Sequence, residues 1–119
     1  MSLKRVLFVD DEQRVLDAIQ RMLRPYRGEL EMAFASSGEE ALRLFAENKF
    51  DIIVSDIRMP RMDGAELLGR IKKDYPDTIR FALSGQSDQE TWMRSLGSAH
   101  QFISKPCNAE TLRAAIIQA

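Results

Sequence analysis

Short apolar runs alternate with helical stripes five times along this sequence, and four of the runs end abruptly on a polar or charged residue. Arg5–Val9 stops at Asp10-Asp11, and Val15, Leu16, Ile19, Met22 and Leu23 then mark one face of a 3.6-period helix. That helix is predicted to stop at Pro25 and the Arg27-Gly28 turn. Leu30, Met32 and Phe34 alternate with Glu29, Glu31 and Ala33, which predicts a half-exposed strand. Ser36-Ser37-Gly38 opens a helix carrying Ala41, Leu42 and Phe45. Ile52–Val54 is closed by Asp56, and a loop over 57–64 leads into a helix marked by Leu67, Leu68 and Ile71 and ended by Pro76. Ile79–Leu83 turns out at Ser84-Gly85, and Trp92, Met93 and Leu96 give a fourth helical stripe. Gln101–Ser104 precedes Lys105-Pro106, and Leu112, Ala115, Ile116 and Ala119 complete a fifth helix.

Parallel strands need crossover connections, and right-handed βαβ units place the helices on both faces of the sheet. The pattern therefore predicts a doubly wound α/β fold with five parallel strands and five helices. A length of 119 residues, with no internal repeat or linker, fits one domain over 1–119. Apolar residues make up 45% of the chain, enough for a core without staples. The net charge of −1 supplies no field for nucleic acid or an anionic membrane. No apolar run approaches the roughly twenty residues that a membrane helix needs, and no signal peptide opens the chain. Cys107 is the only cysteine, which excludes an internal disulfide and fits a cytoplasmic setting.

In open parallel sheets ligands bind beyond the carboxyl ends of the strands, where strand order reverses. Those ends here carry Asp10-Asp11, Asp56, Ser84 and Lys105. A strand order of 2-1-3-4-5 sets the first strand beside the third and gathers three carboxylates. Two unit charges about 6 Å apart, at an effective dielectric near 20, repel by roughly 3 kcal/mol. A hard divalent cation such as Mg²⁺ would relieve that repulsion. With Lys105 at the rim and a hydroxyl at Ser84, the set describes a phosphoryl-handling site with Asp56 as nucleophile. Taken singly, each residue has an ordinary explanation. Asp10 or Asp11 could cap the first helix, Ser84 could support a turn, and Lys105 could be a solvated surface lysine. Their coincidence at four strand ends is what argues for a site.

The stretches Val6-Leu7-Phe8-Val9-Asp10-Asp11-Glu12, Asp56-Ile57-Arg58-Met59-Pro60-Arg61-Met62-Asp63-Gly64, Ser84-Gly85 and Lys105-Pro106 resemble, in this order, the receiver domain of bacterial two-component response regulators. The resemblance implies a flavodoxin-like order 2-1-3-4-5 and a phosphoacceptor at Asp56. It further implies Mg²⁺, with Mn²⁺ as a substitute, held by Asp11, Asp56 and the backbone carbonyl of Arg58, and by Asp10 mainly through water. Ser84 and Lys105 would contact the phosphoryl group, the Lys105–Pro106 bond would be cis, and Phe102 would be the aromatic switch. Its plain alternative is a half-buried strand residue. The switching surface would comprise the fourth helix, fifth strand and fifth helix.

Implied partners are a sensor histidine kinase or phosphotransfer protein upstream and an output domain or protein downstream, and a phosphorylation-dependent dimer is left open. The segment from Ser98 to Cys107 loosely resembles receivers joined to HD-type outputs. Arg58 and Gln86 would flank the approach to the phosphoryl group and slow its hydrolysis. His100, the only histidine, reads as a surface strand-edge residue, and Trp92 and Met93 as packing. On this reading the chain is a relay component, not a conventional enzyme. The enzyme alternative is an aspartate-nucleophile phosphohydrolase of small phosphate esters, but such enzymes carry a second aspartate where this chain has Arg58. A flavin-binding module would meet repulsion from Asp10-Asp11-Glu12, and the glycine fingerprints of nucleotide sites are missing.

Overall fold

Val6 and Phe8 are buried on one face of their strand, and Leu7 and Val9 on the other. A strand covered on both sides is what a parallel sheet between two helical layers requires. The computed structural model describes residues 3–85, 97, 99–104 and 108–119. Its strands are β1 (Lys4–Val9), β2 (Leu30–Ala35), β3 (Ile52–Asp56), β4 (Ile79–Ser84) and β5 (Gln101–Ser104). All neighbours pair in parallel, in the order β2-β1-β3-β4-β5. The doubly wound fold is as expected.

Four α-helices occur among the described residues: α1 (Gln13–Leu23), α2 (Gly38–Glu47), α3 (Gly64–Asp74) and the C-terminal α4 (Ala109–Ile117). The expected helical stripe at Trp92, Met93 and Leu96 lies outside the described residues, as do Gln86, Ser98, Lys105, Pro106 and Cys107. One core layer joins Leu7, Val9 and Ile53 to the α2 and α3 residues Phe45, Leu67 and Ile71. The other joins Val6, Phe8 and Val54 to the α1 and α4 residues Leu16, Ile19, Leu112 and Ile116.

The elements differ from the sequence expectation in three places. β3 runs on past Val54 to Asp56, because Ser55 is fully buried and donates its hydroxyl to the Asp56 carbonyl at 2.9 Å. β2 does not alternate cleanly. Leu30 and Ala35 are buried, only Glu31 is exposed, and Phe34 is half-buried and stacks on Phe8 with ring centroids 5.6 Å apart. An edge strand between two helical layers is partly covered on both sides, so polarity alternation overstates its exposure. Pro25 does not simply end α1. The chain passes into a 3₁₀ turn, Arg24–Tyr26, with Pro25 in its first positions, where a missing N–H costs nothing.

The C-terminal helix is anchored to the segment between α1 and β2. The Arg113 guanidinium makes a forked pair with Glu29, at 2.9 and 2.8 Å, and lies 4.9 Å over the Tyr26 ring. The hydrogen bonds from Arg113 hold the Glu29 carboxyl below the usual range. Lys4 reaches the Ala119 carbonyl at 2.5 Å, so the last residue returns to the start of β1.

Candidate phosphoacceptor site

The pairing of Val9 with Ser55 in the β1–β3 ladder sets Asp10 alongside Asp56 at the carboxyl end of the sheet. Asp10 and Asp56 are 1% and 4% exposed, whereas Asp11 faces solvent. Each of the three offers a carboxylate oxygen, and these oxygens all lie within 4.8 Å of one another. Hard oxygen donors gathered this closely, two of them nearly withdrawn from water, suit a hard divalent cation. The donor set therefore fits the expected Mg²⁺.

Asp10 is fixed twice over. Its N–H donates to the Ala35 carbonyl at 3.1 Å, and its Oδ1 accepts from the Glu12 N–H at 2.9 Å. The N-cap of α1 is Glu12, which makes no side-chain cap bond. Asp10 thus takes over one of the unpaired donors at the helix start. The expectation that Asp10 or Asp11 is itself the N-cap is corrected: that position is Glu12, and the Asp10 carboxylate serves the helix start only by accepting from the Glu12 N–H.

The loop after β3 is built to press against Asp56. A Cβ on Gly64 would collide with the Asp56 carbonyl oxygen and lie 2.7 Å from the Ile57 Cα. Only glycine lets α3 start there. The Gly64 N–H donates to the Ile57 carbonyl at 2.7 Å, and Asp63 caps the helix by accepting from the Glu66 N–H at 2.9 Å. Exposed Arg58 shares an open cleft of about 410 Å³ with Asp11, Met59, Pro60 and Asp63. Of the three carboxylates, Asp11 lines this cleft.

Asp56 pairs with Leu83, so half-buried Ser84 stands one residue further along β4, at the same end of the sheet. The Ile57 N–H donates to the Leu83 carbonyl at 3.1 Å, which links the β3 loop to the residue before Ser84. Phe102 is half-buried on β5, opposite Ala82, and packs against the α2–α3 core layer. Lys105 and its bond to Pro106 lie outside the described residues. His100 is exposed as expected, but it also has a partner. Its N–H donates to the Arg80 carbonyl at 2.7 Å, and its Nδ1 accepts from the Arg80 N–H at 2.9 Å. Desolvation, with smaller contributions from Arg80 and Lys72, pushes its pKa below the ordinary histidine value.

Local sequence carries no sign that Gly38 and Met62 meet, or that Arg61 takes a left-handed backbone (φ 66°). The Asp63 cap was not among the sequence expectations, although Asp three residues before Glu66 matches the capping-box spacing and could have signalled it.

The 2-1-3-4-5 sheet with an acidic pocket at its β1–β3 switch point defines a phosphoacceptor class of α/β domain. The chain matches the response regulator receiver domain family over residues 6–117. It belongs to that family. It is 35% identical over 103 residues to the hydrogenase transcriptional regulatory protein HoxA of Cupriavidus necator, covering 85% of this chain and 21% of that protein. It is 36% identical over 103 residues to protein-glutamate methylesterase/protein-glutamine glutaminase 3 of Geobacter sulfurreducens, covering 86% of this chain and 28% of that one. The signal receiver domain of an HD domain-containing protein from Pseudomonas fluorescens Pf-5 superposes with a TM-score of 0.91 at 30% identity, covering 99% of this chain and 87% of that one. The chain thus spans less than a third of these two sequence relatives. It is a receiver domain of two-component phosphorelay signalling, and the small-ester phosphohydrolase alternative gives way to that reading. No helix among the described residues is long and apolar enough to cross a membrane.

Proposed function

We propose that Asp56 is the phosphoacceptor of this receiver. The observation that carries the proposal is the convergence of the Asp10, Asp11 and Asp56 oxygens within 4.8 Å at the ends of β1 and β3. A carboxylate oxygen of Asp56 attacks the phosphorus of a phosphohistidine on a histidine kinase or phosphotransfer protein. A P–O bond forms as the P–N bond breaks, and the electron pair leaves with the imidazole, which takes a proton from solvent. Asp11, Asp56 and the Arg58 carbonyl would hold Mg²⁺ or Mn²⁺ directly, and Asp10 mainly through water. When bound, the cation offsets the carboxylate repulsion and the charge on the phosphoryl oxygens. Ser84 and Lys105 would hold those oxygens from the β4 and β5 side. Hydrolysis later returns the Asp56 carboxylate and inorganic phosphate, so the domain is a relay, not a turnover enzyme.

The phosphoryl group adds roughly −1.5 to −2 charge and new acceptor oxygens. Ser84 is drawn to it, and Phe102, already packed half-in and half-out, is the side chain that follows. The switched surface would comprise the expected fourth helical stripe at Trp92, Met93 and Leu96 with β5 and α4, and would engage an output domain or protein, or a second copy. The relatives' names span transcriptional regulation, a methylesterase and an HD domain protein, so the receiver reading does not select one output. We assign residues 1–119 to one receiver domain working in the cytoplasm, without direct contact with nucleic acid or membrane.

Incubation with acetyl phosphate and Mg²⁺ followed by peptide mass mapping tests the assignment. Phosphate on the Asp56 peptide, lost in Asp56→Asn and in EDTA, is expected. Phosphate persisting in Asp56→Asn would remove Asp56 from the role.

A further inference from the structure

Gly38 is the first residue of α2, and nothing in its backbone calls for glycine. No glycine among the described residues has a positive φ, and Ser37 already caps the helix through the Glu40 N–H at 3.1 Å. The reason lies across the packing gap. A Cβ at Gly38 would lie 2.7 Å from the Sδ of Met62, 3.0 Å from its Cγ and 3.1 Å from its Cβ. The sulfur could swing aside by rotation, but the Met62 Cβ is fixed to the loop backbone.

Met62 is 7% exposed and Met59 9% exposed, so the loop after β3 is nailed into the core at two points. Between them lie Pro60, with a fixed φ, and Arg61 at φ 66°. An arginine in that left-handed region is strained, and such strain persists only where the surroundings over-determine it. Arg58 directly precedes the first anchor, and Gly64 locks the far end against Asp56. The four residues from Met59 to Met62 are too short and stiff to absorb a displacement at Met62.

We infer that the Gly38–Met62 contact is a positioning device for the metal site. It seats Met62, holds Arg61 in its left-handed conformation and thereby aims the Arg58 carbonyl. The inference rests on the proposed reading of that carbonyl as a ligand of Mg²⁺. Both residues act through the loop and touch no reacting atom.

The test is a double-mutant cycle on Gly38→Ala and Met62→Ala, with Mg²⁺ affinity read by calorimetry and stability read separately by urea denaturation. Gly38→Ala is expected to weaken Mg²⁺ binding about ten-fold, the effect typical of residues that orient ligands. Met62→Ala, which empties the seat without a clash, is expected to weaken it too. Adding Gly38→Ala to Met62→Ala should then change affinity by less than about two-fold, because the partner of the clash is gone. Folded Gly38→Ala or Met62→Ala with unaltered Mg²⁺ affinity, and only a lower urea midpoint, would make the contact plain packing and overturn the inference. Should Gly38→Ala not fold, Met62→Ala alone decides it. A wild-type domain that takes up no Mg²⁺ would instead remove the metal reading, and the positioning role with it.

Discussion

Replacing Asp10 by Asn should make the metal-free domain more stable, although Asp10 is among the most buried polar groups of the described residues. Its carboxylate and that of Asp56 approach within 4.8 Å at 1% and 4% exposure. At an effective dielectric near 20, unit charges at 4.8 Å repel by roughly 3.5 kcal/mol. Each charge is shared over two oxygens and the surroundings respond, so about half of that is a fair expectation. Asn keeps an oxygen for the Glu12 N–H, now 2.9 Å from Oδ1, so the start of α1 loses little. The net gain should be about 1–2 kcal/mol, and each kcal/mol raises the melting temperature of a chain this long by about 4 °C.

Mg²⁺ should erode that lead. A ligand at about one hundred times its Kd stabilises a protein by about 2.7 kcal/mol, and Asp10→Asn weakens the site that collects this. Thermal melts of both proteins in EDTA and in saturating Mg²⁺ provide the check. The variant should melt higher in EDTA and gain less from Mg²⁺ than the wild type. If Asp10→Asn melts lower in EDTA, the carboxylates are already compensated within the fold, and the repulsion argument for a metal fails.

Gly64→Ala should cost about 1–3 kcal/mol in urea denaturation, because its Cβ would meet the rigid Asp56 carbonyl and not a movable side chain; an unaltered midpoint would show that α3 can start elsewhere. Arg61→Gly should gain about 0.5–1 kcal/mol, since relief of roughly 1–2 kcal/mol of left-handed strain exceeds the added freedom of the unfolded chain; a loss would mean that Arg61 makes a contact worth more than the strain. His100 has a folded pKa below the ordinary value near 6.5, so the unfolded chain binds more protons in that range. Its contribution is therefore complete above that value and is lost as pH falls through the depressed one. Urea midpoints at about pH 7.5 and pH 5.5 should show a loss in the wild type that is smaller in His100→Asn, which keeps an acceptor for the Arg80 N–H.

The sheet was legible because its signal is redundant. Val6–Val9 and Ile52–Val54 are apolar on both faces, which happens only where helices cover both; the strand order came with the family resemblance, because right-handed crossovers allow more than one order. The carboxylate cluster was legible for a related reason. A strand end is marked in sequence by the step from apolar to charged, so Asp10 and Asp56 announced their own position. Where the step was blurred the reading slipped, as at Ser55, whose burial depends on a hydrogen bond to the next carbonyl.

The loop around the site resisted reading for a different physical reason. Gly64 could be read as punctuation, but that its missing Cβ makes room for the Asp56 carbonyl is a fact about two backbones meeting. Gly38 and Met62 are further apart in sequence and carry no shared pattern, since a glycine at a helix start and a methionine in a loop each have ordinary local explanations. Arg61 is contrary to its local preference and is held only by what surrounds it. The charges that would do the chemistry follow from strand ends, which local sequence encodes. The sub-ångström aim of those charges follows from close packing between elements, which only the folded chain reveals.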